Sequence, residues 1–458
     1  MTVTTNYTVT GNGITGTTAD AVASLVSGAR KPTCVLLGDS RWAQGYSTSA
    51  TTVARYQEGA FHQANALSGN RFKVLADKGV GGNTLADMLA RVQTDVIAYA
   101  PKYCFIKGGI NSLQTQYSAL SAAANYAATK ADALALIQAL QAAGIIVVIG
   151  TEGTEGTPST ALIGATLAYN DWLRQAASAY NFLVWDYAAV VIDPAAATCT
   201  PRNPSTWWRD GDALADGTLI HLGNLGAYYE GKLLASLLTA LEPQAPRLIT
   251  GHESWANVST LGALPYPSIL DTPMFLAGGG TNSCANVDAG ATTNIPAGYV
   301  LTYGAGTPTA TAALVAKTDP ITGLSIGNAF QITMGTTSSG DEIVLSSANH
   351  VGRAPVGSLV SSSAAITLAS AAQVQHVQIW ATADPGGGGQ AVWGGTGGGS
   401  YSAGGAVQAM PSDTWYAETP PYTVPTGVLA ERWVMKIKFL GNASGTVLQV
   451  WAPRYRAE

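Results

Sequence analysis

The chain has 458 residues, enough for two or three domains, and 47% of them are hydrophobic, so a sizeable interior can form. Charged residues make up only 11%, replaced by Gly, Ala, Ser and Thr, a balance more common in extracellular or virion β-proteins than in cytosolic enzymes. The net charge of −5, with no basic run interleaved with aromatics, argues against a nucleic-acid binder, and no stretch approaches 18 uninterrupted apolar residues, so no membrane span is expected.

The start, MTVTTNYTVTGNGITGTTADA, lacks the cationic and apolar segments of a secretory signal, and residues 1–29 read as a leading segment. From Lys31 to Leu241, short apolar runs alternate with amphipathic stretches. The runs 33–37, 72–76, 103–107, 145–149 and 182–185 predict parallel strands buried on both faces. The segments 51–67, 84–98, 117–143, 160–180 and 224–241 predict helices. This alternation predicts an α/β domain over residues 30–241, built on a doubly wound, parallel five-stranded sheet. After Glu242-Pro243 the helical period disappears. Short alternating runs at 299–303, 341–346, 376–381, 432–439 and 446–452 predict a β-sandwich or jelly roll over 242–458, and the glycine-rich stretch 385–405 reads as a long surface loop. Cys34, Cys104, Cys199 and Cys284 are widely spaced with no CxxC pair, which excludes a zinc ribbon and makes Cys34 and Cys104 candidate buried thiols.

Four local features carry chemistry. Gly38-Asp39-Ser40-Arg41 follows the first strand and places a hydroxyl where open α/β sheets bind ligands, although such a tripeptide alone is usually only a turn. Gly79-Val80-Gly81-Gly82-Asn83-Thr84 offers backbone N–H groups without side chains in the way, or simply a helix entry capped by Thr84. It lacks the GKS/T of a phosphate loop. Gly108-Gly109-Ile110-Asn111-Ser112 supplies an amide at a strand end, either an oxyanion donor or a loop cap. Of five histidines, only His221 lies in a polar loop at the end of the domain with carboxylates close upstream, as a general base or as a surface residue. In this order the four make an acyl-transfer set.

This order of blocks resembles the SGNH (GDSL-type) hydrolase superfamily over residues 30–241. The resemblance implies a flavodoxin-like fold with Ser40 as nucleophile and Ser40, Gly82 and Asn111 as oxyanion donors. It makes His221 the base, with an acidic partner in the same loop. Two positions depart from the family pattern. Ser112 stands where Asp usually follows the Asn, and Thr218 stands where the Asp usually precedes the His. Asp216, five residues before His221, is the candidate orienter through a loop expanded by two; the alternative is a site oriented by backbone alone. No metal or cofactor is implied.

Trp42, Trp207 and Trp208 flank these blocks and are candidates for stacking on substrate, or for capping the core. Trp255, Trp380, Trp393 and Trp415 are candidate sugar platforms in the second half. The expected function is a serine esterase removing O-acetyl groups from carbohydrate, in an extracellular or virion-associated setting. A lipase or aryl esterase is a second reading within that chemistry. The alternative class is a phage tail or adhesin-like receptor-binding or structural protein carrying an esterase-like domain. A homo-oligomer is a candidate assembly, a trimer if virion-associated.

Overall fold

The computed structural model describes residues 31–48, 52–153, 156, 158–195, 201–203, 206–208, 219–243, 270–272, 274–290, 294–318, 325–384, 390–394 and 407–457. The expected leading segment 1–29 lies outside these residues, as do Cys199 and Trp255.

The first half forms around five parallel strands: β1 (Thr33–Gly38), β4 (Lys73–Gly79), β5 (Tyr103–Lys107), β6 (Ile146–Gly150) and β7 (Leu183–Trp185). Their order is β4-β1-β5-β6-β7, so the chain reverses direction across the sheet at β1. Side chains of β1 alternate between two cores. Val35 and Leu37 pack with Met88, Leu136 and Ile137 on one face, and Cys34 and Leu36 pack with Phe61, Phe105 and Leu234 on the other. A sheet covered on both faces explains why these strands read as unbroken apolar runs. Cys34 and Cys104 are buried free thiols.

Helices α3 (Leu85–Asp95), α4 (Ala122–Ala142) and α5 (Thr160–Ala176) start where hydroxyl side chains cap them: Thr84 in a reciprocal box with Asp87, then Ser121 and Ser159. Helices α6 (Tyr187–Val191) and α7 (Asn224–Leu241) close the layer opposite them.

Two expectations need correction. The helix predicted over 51–67 is a strand followed by a shorter helix: β3 (Thr52–Arg55) and α2 (Ala60–Leu67), with β2 (Tyr46–Thr48) before them and α1 (Ser40–Ala43) joining β1 to β2. The β-branched pair Thr52-Val53 suits an extended chain, and Gly59 marks the real helix entry. The stretch 385–405 is also not loop throughout, because Gln390–Trp393 forms strand β16. These two departures share one cause. β3 pairs in parallel with β16, Thr52 opposite Gln390 through Arg55 opposite Trp393.

The second half is strand-rich as expected. Its strands are β8 (Thr281–Asn282), β9 (Val287–Asp288), β10 (Tyr299–Ala305), β11 (Ala310–Thr318), β12 (Ser325–Met334), β13 (Glu342–Ser347), β14 (Leu359–Ala369), β15 (Val374–Asp384), β16, β17 (Asp413–Glu418), β18 (Tyr422–Thr423), β19 (Ala430–Phe439) and β20 (Val447–Ala457). They fall into two sheets, one of eight strands in the order β2-β3-β16-β15-β19-β13-β10-β8 and one of seven, in which β17-β14-β20-β12-β11-β9 form a path and β18 pairs with β14 beside it. Both line one apolar cluster, with Leu301, Ile379 and Ile437 from the first sheet and Ile332, Ile366 and Val450 from the second. Ala66 and Tyr228 of the first half belong to the same cluster. Polar contacts reinforce the join. The Trp415 indole N–H donates to Gln63 at 2.9 Å, and the Tyr228 hydroxyl to Asp413 at 2.6 Å. Glu418 accepts from Lys31 and Asn70, each at 2.6 Å.

Candidate active site

The parallel register levels three strand ends. Gly38 sits opposite Gly79 on β4 and opposite Lys107 on β5. The loops that follow, 39–41, 80–84 and 108–112, therefore leave the sheet side by side at its carboxyl edge, where the strand order reverses. Gly38 allows no side chain: a Cβ there would lie 2.5 Å from the Lys107 carbonyl oxygen.

Ser40 opens α1. Asp39 caps that turn, its Oδ1 accepting the Arg41 N–H at 2.9 Å. The Ser40 hydroxyl lies 2.8 Å from His221 Nε2, across 181 residues of sequence. The neighbouring loop approaches from β4, where a Cβ on Gly81 would come 4.0 Å from the Ser40 Cβ. Gly82 has φ +78, which disfavours any side chain, and faces open space on its Cβ side. Asn111 donates one amide N–H to the Asn83 carbonyl at 3.0 Å, leaving its second amide hydrogen for another acceptor. Ser40, His221, the Gly81-Gly82-Asn83 turn and Asn111 are thus brought to one rim. Asp216, with Asp210 and Asp212, lies outside the described residues.

Ser112, where the family pattern has Asp, is fully buried and accepts the Leu85 N–H at 3.0 Å, so it tethers the start of α3 to the Asn111 loop. Arg91 does similar work and was not singled out by the sequence. It donates to the Gly38 and Lys78 carbonyls, each at 2.9 Å, and to Asn83 Oδ1 at 2.7 Å. One guanidinium therefore braces the end of β1 against the glycine turn.

Beneath Ser40 lies a cluster of buried charges that sequence reading also missed. Arg41 bridges Asp39 and Glu152, and Lys107 pairs with Glu230 of α7 at 2.6 Å. All five side chains are at most 2% exposed. Burial opposes the Arg41 charge, yet the two carboxylates raise its pKa well above the ordinary value. Burial lowers that of Lys107 against the pull of Glu230, and raises that of Glu152 against Arg41. The available signal was a charge within or just after an apolar run, Lys107 in YCFIK and Glu152 behind IIVVIGT.

The tryptophans do not stand at the rim. Trp42 is 1% exposed and stacks on Trp185, its N–H donating to the Phe105 carbonyl. Trp207 stacks on Tyr229, and Trp208 donates to the Arg202 carbonyl. Both are buried, and they hold the segment after His221 instead: Trp208 bridges Leu222, and the Gly223 N–H donates to the Trp207 carbonyl at 2.8 Å. Large aromatic faces at this position in the chain were needed for the core. Of the platforms expected in the second half, Trp393 and Trp415 are buried in the shared cluster, and Trp380 is half-buried beneath Lys436.

The sequence profile of the GDSL-like lipase/acylhydrolase family matches residues 36–228. Similar solved structures include the lipase/acylhydrolase from Enterococcus faecalis, at 19% identity over 47% of this chain and 100% of that one, with a TM-score of 0.35. Others are a GDSL-like lipase from Bacteroides thetaiotaomicron VPI-5482 (13%; 49% and 98%; 0.34) and a catalytic mutant of an acetylxylan esterase from Geobacillus stearothermophilus (22%; 37% and 86%; 0.29). No curated protein matches the chain. Among the described residues, no helix is long and apolar enough to cross a membrane. Residues 36–228, which include Ser40, the glycine turn, Asn111 and His221, thus form a GDSL-like lipase/acylhydrolase domain.

Proposed function

We propose that the protein is a serine ester hydrolase working through an acyl-enzyme. The observation that carries this reading is the 2.8 Å separation between the Ser40 hydroxyl and His221 Nε2. In the mechanism we assign, Nε2 takes the Ser40 proton as Oγ attacks the ester carbonyl, and the imidazolium then protonates the departing alcohol. Water, deprotonated by His221, attacks the acyl-enzyme and releases the acid. The developing oxyanion is held by the Ser40 and Gly82 N–H groups and the second amide hydrogen of Asn111, each worth roughly 3 kcal/mol in such sites. The Arg41 N–H is committed to Asp39, so the Ser40 N–H is the one assigned. Asp216 is our assignment for the residue that orients His221.

We assign a short acyl group on a hydroxyl-rich alcohol, an O-acetyl group on carbohydrate, as the substrate class. In support, Gly81, Gly82, Asn83 and Asn111, on the two loops beside Ser40, are small or polar, as suits a small acyl group on a hydroxyl-rich alcohol.

The test is release of acetate from an acetylated oligosaccharide and of p-nitrophenol from its acetyl, butyryl and octanoyl esters, by wild type, Ser40→Ala and Asp216→Asn. Expected are turnover by wild type that falls with chain length, none by Ser40→Ala, and a large loss in Asp216→Asn. A wild type that is inert across the panel overturns the esterase reading.

A further inference from the structure

Arg41 directly follows the proposed nucleophile, yet its side chain turns into the protein. Its guanidinium donates from Nε and Nη2 to Asp39, at 3.0 and 2.7 Å, and from Nη1 and Nη2 to Glu152, the latter at 3.0 Å. Four of its five donors are engaged in one fork-like arrangement. Glu152 is held in turn. Its backbone N–H donates to Asn170 Oδ1 at 2.7 Å, and the Asn170 amide donates back to its carbonyl at 2.8 Å. The same carboxylate meets the loop that carries Asn111. Gly109 has φ +145, and a Cβ there would lie 3.0 Å from Glu152 Oε1.

Glu152 therefore touches both the turn that presents Ser40 and the loop that presents Asn111. Burying such a pair costs desolvation, and apolar residues of similar volume would serve packing as well or better. The gain lies in geometry. With the Arg41 side chain tied to Asp39 and Glu152, and its N–H tied to Asp39, the peptide at Ser40 has one orientation relative to Gly109. We propose that Arg41 and Glu152 are a positioning pair that sets the distance and angle between the Ser40 hydroxyl and the Asn111 amide for the transition state, without touching substrate. This rests on the reading of Ser40 as nucleophile.

The experiment compares wild type, Ser40→Ala, Glu152→Gln, Arg41→Lys and the triple variant Asp39→Asn/Arg41→Met/Glu152→Leu, which removes the Arg41 charge together with both carboxylates it bridges. Three quantities are read: steady-state p-nitrophenyl acetate kinetics, the rate of labelling by a fluorophosphonate, and the melting temperature. Arg41→Lys keeps the charge and loses the fork, and should lower kcat roughly 10- to 100-fold with KM nearly unchanged, as a displacement on the order of 1 Å does. Glu152→Gln should behave alike, and labelling should slow by a similar factor. The triple variant is the discriminating one, because it leaves no buried charge unpaired. It should recover much of the melting temperature lost in Arg41→Lys and Glu152→Gln while kcat stays low, because apolar groups pack but do not orient. If kcat recovers with stability in the triple variant, or if Arg41→Lys retains wild-type kcat, the pair is structural and the inference is overturned. If wild type and Ser40→Ala are equally inert and equally unlabelled, the esterase reading itself fails, which is a distinct result.

Discussion

Replacing Lys107 by Met tests the energetics beneath the active site. Lys107 ends β5 with its ammonium 2.7 and 2.6 Å from the two oxygens of Glu230, and the side chains are 2% and 0% exposed. The Tyr187 ring lies 4.3 Å from the same ammonium and the Trp42 ring 5.3 Å. Lys107→Met takes the ion-pair partner from a buried carboxylate and should destabilise by about 3–5 kcal/mol. Glu230→Gln leaves the cation against two aromatic faces worth about 1–2 kcal/mol, so its cost should be smaller, about 2–3 kcal/mol. The double variant Lys107→Met/Glu230→Leu removes both charges at similar volume and should fall within about 2 kcal/mol of wild type. The assay is urea unfolding at pH 7 followed by tryptophan fluorescence. Coupling of roughly 3 kcal/mol or more is expected from the double-mutant cycle. Additive single effects would refute the reasoning, because they would mean the two groups do not depend on each other for burial.

Asn111→Ala should lower kcat by about 10²- to 10³-fold with little change in KM, read from ester kinetics; an unchanged kcat would remove Asn111 from the oxyanion site. Gly82→Ala meets no atom but forces an alanine to φ +78, so a stability loss of about 1 kcal/mol by urea unfolding and a clear fall in kcat are expected. Burial, with Lys438 and Lys436 nearby and Glu342 opposing them, lowers the His376 pKa to about 4. The unfolded chain then binds the proton first, at a pH of about 6.5, so stability present above that pH is lost as pH falls towards 4, by up to about 3 kcal/mol. His376→Phe should flatten that slope in urea titrations at pH 4 to 7. A chain ending at residue 242 loses β16 as the partner of β3 and bares Ala66 and Tyr228, and should aggregate or lose esterase activity when expressed alone; a monomeric, fully active fragment would contradict the shared core.

Where local pattern decides structure, the sequence was readable. The five parallel strands announced themselves because both faces of the sheet are covered, and α4 and α5 because apolar residues recur along them at helical spacing. Ser40 and His221 were legible as a pair because a nucleophile needs a base and only one histidine lay in a suitable loop. What failed was non-local. Thr52–Arg55 becomes a strand because Gln390–Trp393, far along the chain, offers an edge to pair with, and nothing within residues 51–67 encodes that partner. The tryptophans beside the motifs stayed undecided between substrate and core for a related reason. Whether an indole faces solvent or core depends on Trp185, Tyr229 and Leu222, which arrive from other elements. The buried charges could be seen as oddities in apolar surroundings, but which carboxylate meets which cation is a property of the folded sheet.

The same non-local pairing explains how His221, 181 residues from Ser40, is held in register. Helix α7 begins three residues after His221 and runs across the join between the two halves. Asn224, Tyr228 and Lys232, spaced by four, share one face and bind Gln408 and Asp413 of the strand-rich half. Elsewhere on the helix Glu230 anchors to Lys107 under the sheet, and Gly231 lets it approach α2, where a Cβ would come 2.7 Å from that of Gln63. On the Ser40 side, α1 leads within a few residues into β2 and β3, the edge pair of the eight-stranded sheet. Ser40 and His221 are therefore each fixed twice, once to the parallel sheet and once to the strand-rich half. On this geometry the second half is part of the frame that holds the 2.8 Å contact, so a substitution at the join reaches the chemistry through the placement of these two side chains.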